Sequence, residues 1–185
     1  TIEGAIYNPN GIDVEKMLTM RKKYGDKVVL EYKDAKPIKK EELFTLPVDI
    51  LVPGARPYVI NKKNAGKIKA KLISSGANIP VTDEAEKILL EKGVVVIPDF
   101  ISNSGGVIAA TLDRMSATED QAFKLVEEKI TDSVKKVLSK ALKEKRVPTE
   151  VAKEMAIQKV KQAIKKRQQV QVQELEKIMR EKFKA

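Results

Sequence analysis

The 185-residue sequence contains no cysteine and no histidine, and these two absences exclude several kinds of active site. Without cysteine the chain has no disulfide framework, no thiolate zinc site and no cysteine nucleophile. Without histidine it has no imidazole metal ligand, and neither a Ser-His-Asp triad nor a Cys-His pair can be assembled. The sequence therefore predicts no metal site and no hydrolase of these types.

Tryptophan and long hydrophobic runs are absent as well. The longest apolar runs, such as residues 93–97, are far shorter than the ~20 residues that a membrane-spanning helix needs. No basic-then-apolar signal peptide opens the chain, so we expect a soluble, cytoplasmic protein that does not bind membranes. The missing residue types, together with abundant Lys and Glu, favour a thermophilic source.

Charge, in contrast, is abundant and unevenly distributed, with 34% charged residues and a formal net charge of +10. The excess of basic over acidic groups is 3 in residues 1–110 and 7 in residues 111–185. A cluster at helical spacing carries much of this excess: Lys159, Lys161, Lys165, Lys166 and Arg167. The only aromatic residues after position 110 are Phe123 and Phe183, so the stretch offers no platform for stacking bases. The pattern favours the solvated face of a helix over a nucleic-acid interface.

The first part of the chain has the pattern of an α/β fold. Short β-branched runs alternate with short helical patterns, which is typical of a parallel sheet. The predicted strands are 28–32, 48–52, 71–73 and 94–97. Among the helices, Asp13 is a predicted N-cap with Gly25 after the C-terminus, and Asp83 has capping-box spacing to Glu86.

Beyond Gly106 the pattern changes to long helices. Pro148 begins a second long helix, and the Gln-rich residues 168–173 are a predicted hinge. A further apolar stripe follows: Val172, Leu175, Met179 and Phe183. We predict three parts, namely an α/β domain at 1–110, closing helices at 111–167 and an amphipathic helix at 168–185. We expect this last helix to dock on its own domain or, second, on a neighbouring subunit.

Each of the stronger predicted strands ends in small and polar residues. The three clusters are Pro53-Gly54-Ala55, Ser74-Ser75-Gly76-Ala77-Asn78 and the run from Pro98 to Gly106. In an open parallel sheet all three strand ends lie at one edge, where ligands bind. Each cluster alone is also compatible with ordinary turn chemistry. Because three clusters recur in register, we predict a ligand site at this edge.

These clusters also carry a resemblance. Together with residues 4–13, 48–55 and 64–71, they resemble the cofactor-binding part of the glutamate/leucine/phenylalanine/valine dehydrogenase family, and most of all its glutamate dehydrogenases. The similarity runs in order along nearly the whole chain, through about Arg167. It implies a partial Rossmann-type, doubly wound sheet that lacks its first two strands and is followed by long helices.

The resemblance also implies a chemistry. The family oxidatively deaminates an L-amino acid to a 2-oxo acid and ammonia, with hydride transfer to NAD or NADP. By resemblance, Gly54 and Ala55 correspond to the small residues whose backbone approaches the nicotinamide ribose. Asn78 and Asn103 correspond to asparagines at the nicotinamide end of the site. The protein's part in such chemistry is to hold the ring against the substrate carbon.

The sequence departs from the family in two ways. The Gly-rich phosphate loop and the substrate domain, with the family's catalytic lysine and aspartate, have no counterpart and would precede Thr1, so we assign no catalytic residue in this chain. Ser75 stands where the family has a glutamate, and Ile79 where it has a glycine. At Ala110 the glutamate-specific members carry a serine that contacts the substrate's side-chain carboxylate.

The leading hypothesis is the C-terminal, cofactor-binding part of a glutamate-dehydrogenase-like oxidoreductase, inactive as an isolated chain. A missing N-terminal half or a second chain would complete it, and we expect a homo-oligomer that acts on an amino acid. One alternative is a regulatory or structural paralogue without turnover, which Ala110 favours. The other is a basic nucleic-acid-binding protein, for which salt-dependent retention on DNA is the test.

Overall fold

The computed structural model describes the backbone of residues 1–182 and the side chains of residues 1–174 and 179. The chain divides into two compact units, Thr1–Asp99 and Phe100–Ala185. Unit 1 contains β1 (Ala5–Tyr7), α1 (Val14–Tyr24), α2 (Val28–Glu31), β2 (Lys36–Ile38), β3 (Ile50–Leu51), β4 (Leu72–Ser74), α3 (Asp83–Glu91) and β5 (Val95–Ile97). After α4 (Asp99–Ser102), unit 2 contains α5 (Gly105–Asp113), α6 (Glu119–Glu144) and α7 (Pro148–Lys182). The boundaries of the predicted parts, 1–110, 111–167 and 168–185, differ from the boundary between these two units. The roles given to the three parts stay predictions.

A parallel three-stranded sheet, in the order β3-β4-β5, forms the centre of unit 1 and confirms the predicted α/β fold. Ile50 pairs with Leu72, and Ile73 in turn pairs with Val96. The core around the sheet consists of apolar residues from the strands, α3 and the connecting loops: Leu51, Ile60, Ile68, Ile73, Leu89 and Val96. This core holds the carboxyl ends of the three strands in fixed positions.

The predicted helix ends of unit 1 are confirmed to within one residue. The Asp13 side chain accepts a hydrogen bond from the backbone N–H of Lys16, and Gly25, at φ +57°, follows α1. For α3, however, the N-cap is Thr82, whose hydroxyl accepts from the N–H of Ala85, and Asp83 is the first helical residue. Both residues suit a helix N-terminus, Thr82 as the hydrogen-bonding cap and Asp83 as a charge near the positive end of the dipole.

Residues 28–32 were predicted to form a strand, and this is wrong, because residues 28–31 form the short helix α2. Val28 and Tyr32 are both buried, and the N–H of Tyr32 donates to the carbonyl of Val28. This spacing of four buries one side of a helical turn, whereas a strand would alternate every second residue. A separate antiparallel pair forms instead between β1 and β2, with Ile6 opposite Pro37.

Strand β3 lies at the edge of the sheet in the part of the chain that the structure describes. Leu51 is buried, but Ile50 is 57% exposed and Val52 is 62% exposed. An edge strand with exposed apolar side chains is a template for pairing with another segment. Covering of this edge by an upstream half, a swapped segment or a second chain stays a prediction.

In unit 2 the helices pack around a small core of Ile101, Val137, Ala141, Val151 and Ala152. A capping box at Thr118 and Gln121 begins α6, and Lys145 in the left-handed region (φ +53°) ends it. Pro148 then begins α7, as predicted.

Arg146 and Lys140 join α6 to α7 through Glu154. Arg146 Nη1 donates to a Glu154 carboxylate oxygen at 2.9 Å, and Lys140 Nζ donates to the other at 3.1 Å. The hydrogen bond from Arg146 is the main reason that the pKa of Glu154 is lowered, and the hydrogen bond from Lys140 is the second. Any stability that the carboxylate adds is therefore present above its unfolded pKa and is lost as the pH falls through the lower folded pKa.

Helix α7 runs without a break from Pro148 to Lys182, so the predicted hinge at residues 168–173 is wrong. The segment contains neither Gly nor Pro, and Gln is a good helix former, so nothing in it ends the helix. Val172 and Met179 are 53% and 59% exposed and so do not dock on the chain's own domain, contrary to the favoured prediction. The side chains of Leu175 and Phe183 lie outside the described residues.

Candidate functional site

The carboxyl ends of β3, β4 and β5 lie at one edge of the parallel sheet, as the sequence predicted. Backbone hydrogen bonds join the first two clusters there. The carbonyl of Pro53 accepts from the N–H of Gly76 at 3.1 Å and from the N–H of Ala77 at 3.0 Å. The loops after β3 and β4 therefore form one continuous backbone surface at this edge.

Two glycines in this surface have different environments. A Cβ atom built on Gly76 would lie 3.3 Å from the Cα of Gly54, which is tighter than an ordinary contact. A Cβ atom on Gly54 itself would meet nothing within 4 Å. Gly76 thus allows the two loops to pack, whereas the space above Gly54 is open and its backbone is exposed. An open glycine backbone at a strand end allows a ligand to approach closely.

Asp99 joins the third cluster to the second. Its Oδ2 accepts a hydrogen bond from the backbone N–H of Ile79 at 2.7 Å. The carbonyl of Ile79 in turn accepts from the N–H of Tyr58 at 2.8 Å. Both Ile79 and Tyr58 have positive φ, +50° and +59°. A β-branched residue in this region is an outlier, and such strain concentrates at functional sites.

The strain at Ile79 predicts that Ile79→Gly stabilises the protein. Relief of the left-handed conformation is worth about 1–2 kcal/mol. The greater chain entropy of unfolded glycine offsets about 0.5–1 kcal/mol of this. Because Ile79 is half exposed, its side chain adds little packing, and we expect a net gain of up to about 1 kcal/mol in the free energy of unfolding. Urea unfolding of the variant and the parent measures it.

Ile79→Ala is the matched control, because it removes nearly the same side chain but keeps the Cβ atom that causes the strain. It is expected to gain less than Ile79→Gly. Equal losses in both variants would show that side-chain contacts, and not backbone strain, dominate at this position.

The predicted site residues divide between the two units. Gly54, Ala55 and Asn78 are exposed at the sheet edge of unit 1. In unit 2, Asn103 is half-buried just after α4, and Ala110 is on the exposed side of α5. The roles of these five residues stay predictions.

The sequence interpretation missed two contributions to the edge. Asp99 was recognised as part of a motif, but its hydrogen bond to Ile79 was not expected. Tyr58 was not singled out at all, since nothing in the segment Arg56-Pro57-Tyr58 predicts a positive φ. A signal for Ile79 did exist, because it occupies a position where the resembled family has glycine.

The chemistry of the edge is that of a binding surface. It presents the exposed backbone of Gly54 and the exposed residue Asn78, and an amide side chain is of a type that both donates and accepts hydrogen bonds. No group of His, Cys, Asp or Glu that could hold a metal ion is found among the described residues. No helix in the described range is long and apolar enough to span a bilayer.

Comparison with known proteins gives a consistent result. A family model described as Glutamate/Leucine/Phenylalanine/Valine dehydrogenase matches residues 1–168. The glutamate dehydrogenase of Aeropyrum pernix is 45% identical over 142 residues, covering 74% of this chain and 34% of that protein. The NADP-specific glutamate dehydrogenase of Saccharolobus shibatae is 39% identical over 138 residues, covering 71% of this chain and 32% of that protein.

A solved structure is similar over most of the chain. The hetero-hexameric glutamate dehydrogenase of Thermus thermophilus, in its Leu-bound form, superposes with a TM-score of 0.73 at 25% identity. The match covers 89% of this chain and 39% of that one. The present chain thus spans about a third of the length of the curated relatives it matches.

Proposed function

The chain belongs to the glutamate/leucine/phenylalanine/valine dehydrogenase family, and on that premise we propose that it is the cofactor-binding part of an NAD(P)-dependent, glutamate-type amino acid dehydrogenase. The observation that carries the proposal is the open Gly54 backbone at the carboxyl edge of the parallel sheet. Ligands of doubly wound folds bind at this edge. The name of the Saccharolobus shibatae relative supports a nicotinamide cofactor.

Gly54, Ala55 and Asn78 would hold the nicotinamide end of the cofactor in unit 1. The space above Gly54 fits this role, since a methyl group there would meet no protein atom within 4 Å and a bound ribose could occupy it. The Pro53 carbonyl's bonds to Gly76 and Ala77 fix the two loops beneath it. Asn103 in unit 2 is proposed for the same end of the cofactor only because its motif, Asn103-Ser104-Gly105-Gly106, resembles that of the family. When bound, the nicotinamide would accept the hydride from the amino acid.

In the proposed overall reaction, L-glutamate, oxidised NAD(P)+ and water give 2-oxoglutarate, ammonia, NAD(P)H and a proton. In the proposed enzyme the present chain orients the cofactor. A further segment or chain supplies the catalytic lysine and aspartate of the family, for which no counterpart was assigned in this chain. That further part would also cover the free edge of β3, where Ile50 and Val52 are exposed.

A chimera tests the proposal directly. The N-terminal part of the Aeropyrum pernix relative, which is 45% identical over the shared region, is fused ahead of Thr1. We expect reduction of NAD or NADP that depends on an added amino acid, with glutamate and leucine both tried, measured by the absorbance of the reduced nicotinamide. A chimera that folds cooperatively, binds cofactor and yet turns over no amino acid would contradict the catalytic proposal.

A second candidate function is a non-catalytic paralogue that retains the fold and the subunit contacts. The alanine at position 110, where glutamate-specific members have serine, favours it. The Thermus thermophilus assembly is described as hetero-hexameric, so the family includes assemblies of unlike chains. Co-expression of this chain with a complete relative, followed by isolation of a mixed and regulated assembly, would support this second function.

The isolated chain is expected to bind NAD and NADP poorly. Pyrophosphate binding uses backbone N–H groups of a Gly-rich turn at a helix N-terminus, and no such turn follows a strand in this sequence. Contacts to the nicotinamide end alone should give a dissociation constant of about 1 mM or weaker. Calorimetry of the chain and of the complete Aeropyrum pernix relative, as the positive control, measures the difference. A micromolar affinity of the isolated chain would refute this expectation.

A further inference from the structure

Asn78, which is proposed above to meet the nicotinamide end of the cofactor, lies between two short stretches of backbone that other loops hold. On its amino side, the N–H groups of Gly76 and Ala77 both donate to the Pro53 carbonyl, at 3.1 and 3.0 Å. Asn78 itself is exposed at the sheet edge. The position that its side chain offers to a ligand therefore depends on how firmly the backbone on both sides is held.

On the carboxyl side, Ile79 is hydrogen-bonded at both of its backbone groups. Its N–H donates to Asp99 Oδ2 at 2.7 Å, and its carbonyl accepts from the N–H of Tyr58 at 2.8 Å. One residue further on, the Pro80 carbonyl accepts from the N–H of Ile60 at 2.9 Å. The segments that follow all three strands of the parallel sheet thus meet at the residue after the exposed asparagine.

The bond to Asp99 differs from the others because its acceptor is a side chain, so it depends on the residue at position 99. Ile79 has a φ of +50°, a region that β-branched residues avoid. Such a conformation persists only where the surrounding structure fixes it. A carboxylate makes shorter and stronger hydrogen bonds to N–H groups than a neutral oxygen does. Asp99, half-buried at the start of α4, therefore supplies a strong bond where the backbone is strained.

We propose that Asp99 is a positioning residue of the cofactor site, which acts through the N–H of Ile79 to hold Asn78 in place at the carboxyl edge of the sheet. This role rests on the proposed function, since it fixes the residue that would meet the nicotinamide. Both Asp99 and Ile79 belong to unit 1, so the bond does not depend on the arrangement of the two units. Because a misplacement of about 1 Å can cost about 100-fold in rate, loss of this bond should have a measurable effect.

Amide hydrogen exchange of the full chain tests the bond without any cofactor. Asp99→Ala removes the acceptor, and the exchange rate of the Ile79 amide is expected to rise by about 10- to 100-fold. Asp99→Asn keeps an oxygen that can accept the same bond, so the rate is expected to rise by less than about fivefold. The Ile60 amide, which donates to a backbone carbonyl, is the internal control and should change by less than about threefold in either variant. An Ile79 amide that exchanges equally fast in Asp99→Ala and in the parent overturns the proposal.

Calorimetric titration of the chimera with NAD and NADP tests the positioning role. At a temperature where every variant is folded, Asp99→Ala is expected to raise the dissociation constant of the cofactor by about 10-fold. Asp99→Asn is expected to raise it by less than about threefold, because the amide oxygen still accepts from Ile79. A merely structural role would lower the free energy of unfolding but leave the affinity of the folded variants unchanged.

Asp49→Ala is the matched control for the loss of a carboxylate. Asp49 directly precedes β3, at the opposite end of the sheet, and forms an exposed ion pair with Lys71 at 2.7 Å. Its replacement removes the same charge as Asp99→Ala, and the dissociation constant of the cofactor is expected to change by less than about twofold. An equal loss of affinity in both variants would make net charge the cause and overturn the proposal.

Asp99→Glu covers the case in which Asp99→Ala does not fold. It keeps the charge but moves the carboxylate by one methylene, and it is expected to weaken cofactor binding more than Asp99→Asn does. A greater loss in Asp99→Asn than in Asp99→Glu would overturn the proposal. Affinity equal to the parent's in Asp99→Ala and Asp99→Glu would overturn it too and leave the proposed function standing. A parent chimera that bound neither NAD nor NADP would instead overturn the proposed function, and the role of Asp99 with it.

Discussion

Gly54→Ala in the chimera is expected to weaken NAD(P) binding by about 10- to 100-fold, since a methyl group would occupy the space assigned to the nicotinamide ribose. Protein stability should not fall, because a Cβ atom at this position meets nothing within 4 Å and the backbone lies outside the left-handed region. Replacement of glycine by alanine at a compatible site can even raise the free energy of unfolding by about 0.4–1 kcal/mol.

Gly76→Ala is the matched control and is expected to give the opposite result. Its new Cβ atom would lie 3.3 Å from the Cα of Gly54 and 3.7 Å from Val52 Cγ1, so the two loops must move apart. Overpacking of this kind costs about 1–3 kcal/mol. The variant should therefore lose stability first and cofactor affinity only as a consequence.

Two measurements separate the two glycines, namely urea unfolding and calorimetric titration with the cofactor. The proposal requires Gly54→Ala to affect binding alone and Gly76→Ala to affect unfolding. If Gly54→Ala bound the cofactor as tightly as the parent chimera, the open space above this backbone would not be the ribose site. The nicotinamide end would then have to lie elsewhere along the sheet edge.

The features that sequence predicted correctly are those that local chemistry determines. Asp13 and Gly25 bound α1 because a carboxylate caps backbone N–H groups and glycine adopts positive φ after a helix. Pro148 begins α7 because its fixed φ suits the first helical position. The parallel sheet followed from β-branched runs alternating with helical patterns, and the carboxyl ends of its three strands accordingly lie at one edge.

The two errors in the predicted elements have different causes. Residues 28–31 are rich in valine, which favours strands, yet burial of Val28 and Tyr32 on one side of a turn selects a helix. Residues 168–173 looked like a hinge because of their polarity, but polarity does not break a helix that lacks Gly and Pro.

For the candidate site, sequence located the edge but not its internal bonds. The hydrogen bond from Ile79 to Asp99 joins residues 20 positions apart, and only the packing of β4 beside β5 brings them together. Likewise, a Cβ atom fits at Gly54 but is crowded at Gly76, and this difference depends on the approach of two loops that are separate in sequence. The spacing of residues along the sequence cannot predict contacts of this kind.

A second large effect is expected at Ala110. Ala110→Ser in the chimera should raise kcat/KM for glutamate by about 10- to 150-fold, because a serine hydroxyl can donate to the substrate's side-chain carboxylate. A charge-assisted hydrogen bond of this type is worth about 1.5–3 kcal/mol, and each 1.4 kcal/mol is about tenfold. Activity on leucine, whose side chain has no carboxylate, should not rise. The parent chimera should accordingly have a low kcat/KM for glutamate and should prefer apolar amino acids.

The position of Ala110 is compatible with this role, since it lies on the exposed side of α5 next to Val107. Two neighbouring serines are placed differently from Ala110. Ser104 Oγ donates to the carbonyl of Ile101 at 2.8 Å, and Ser116 follows α5 in a turn at φ +57°. The Ser104 hydroxyl is therefore already donated within the chain, and Ser116 lies beyond the end of α5.

Steady-state kinetics with glutamate and leucine, for the parent and Ala110→Ser chimeras, measure the change in preference. Val107→Ser is the control, because it introduces a hydroxyl one turn earlier on the same exposed side of the helix. We expect this variant to change the ratio of kcat/KM for glutamate to kcat/KM for leucine by less than about threefold. If the parent already turned over glutamate well and Ala110→Ser left the ratio unchanged, position 110 would not face the substrate. Selection of the side-chain carboxylate would then have to come from the N-terminal part of the chimera, where no residue of this chain contributes.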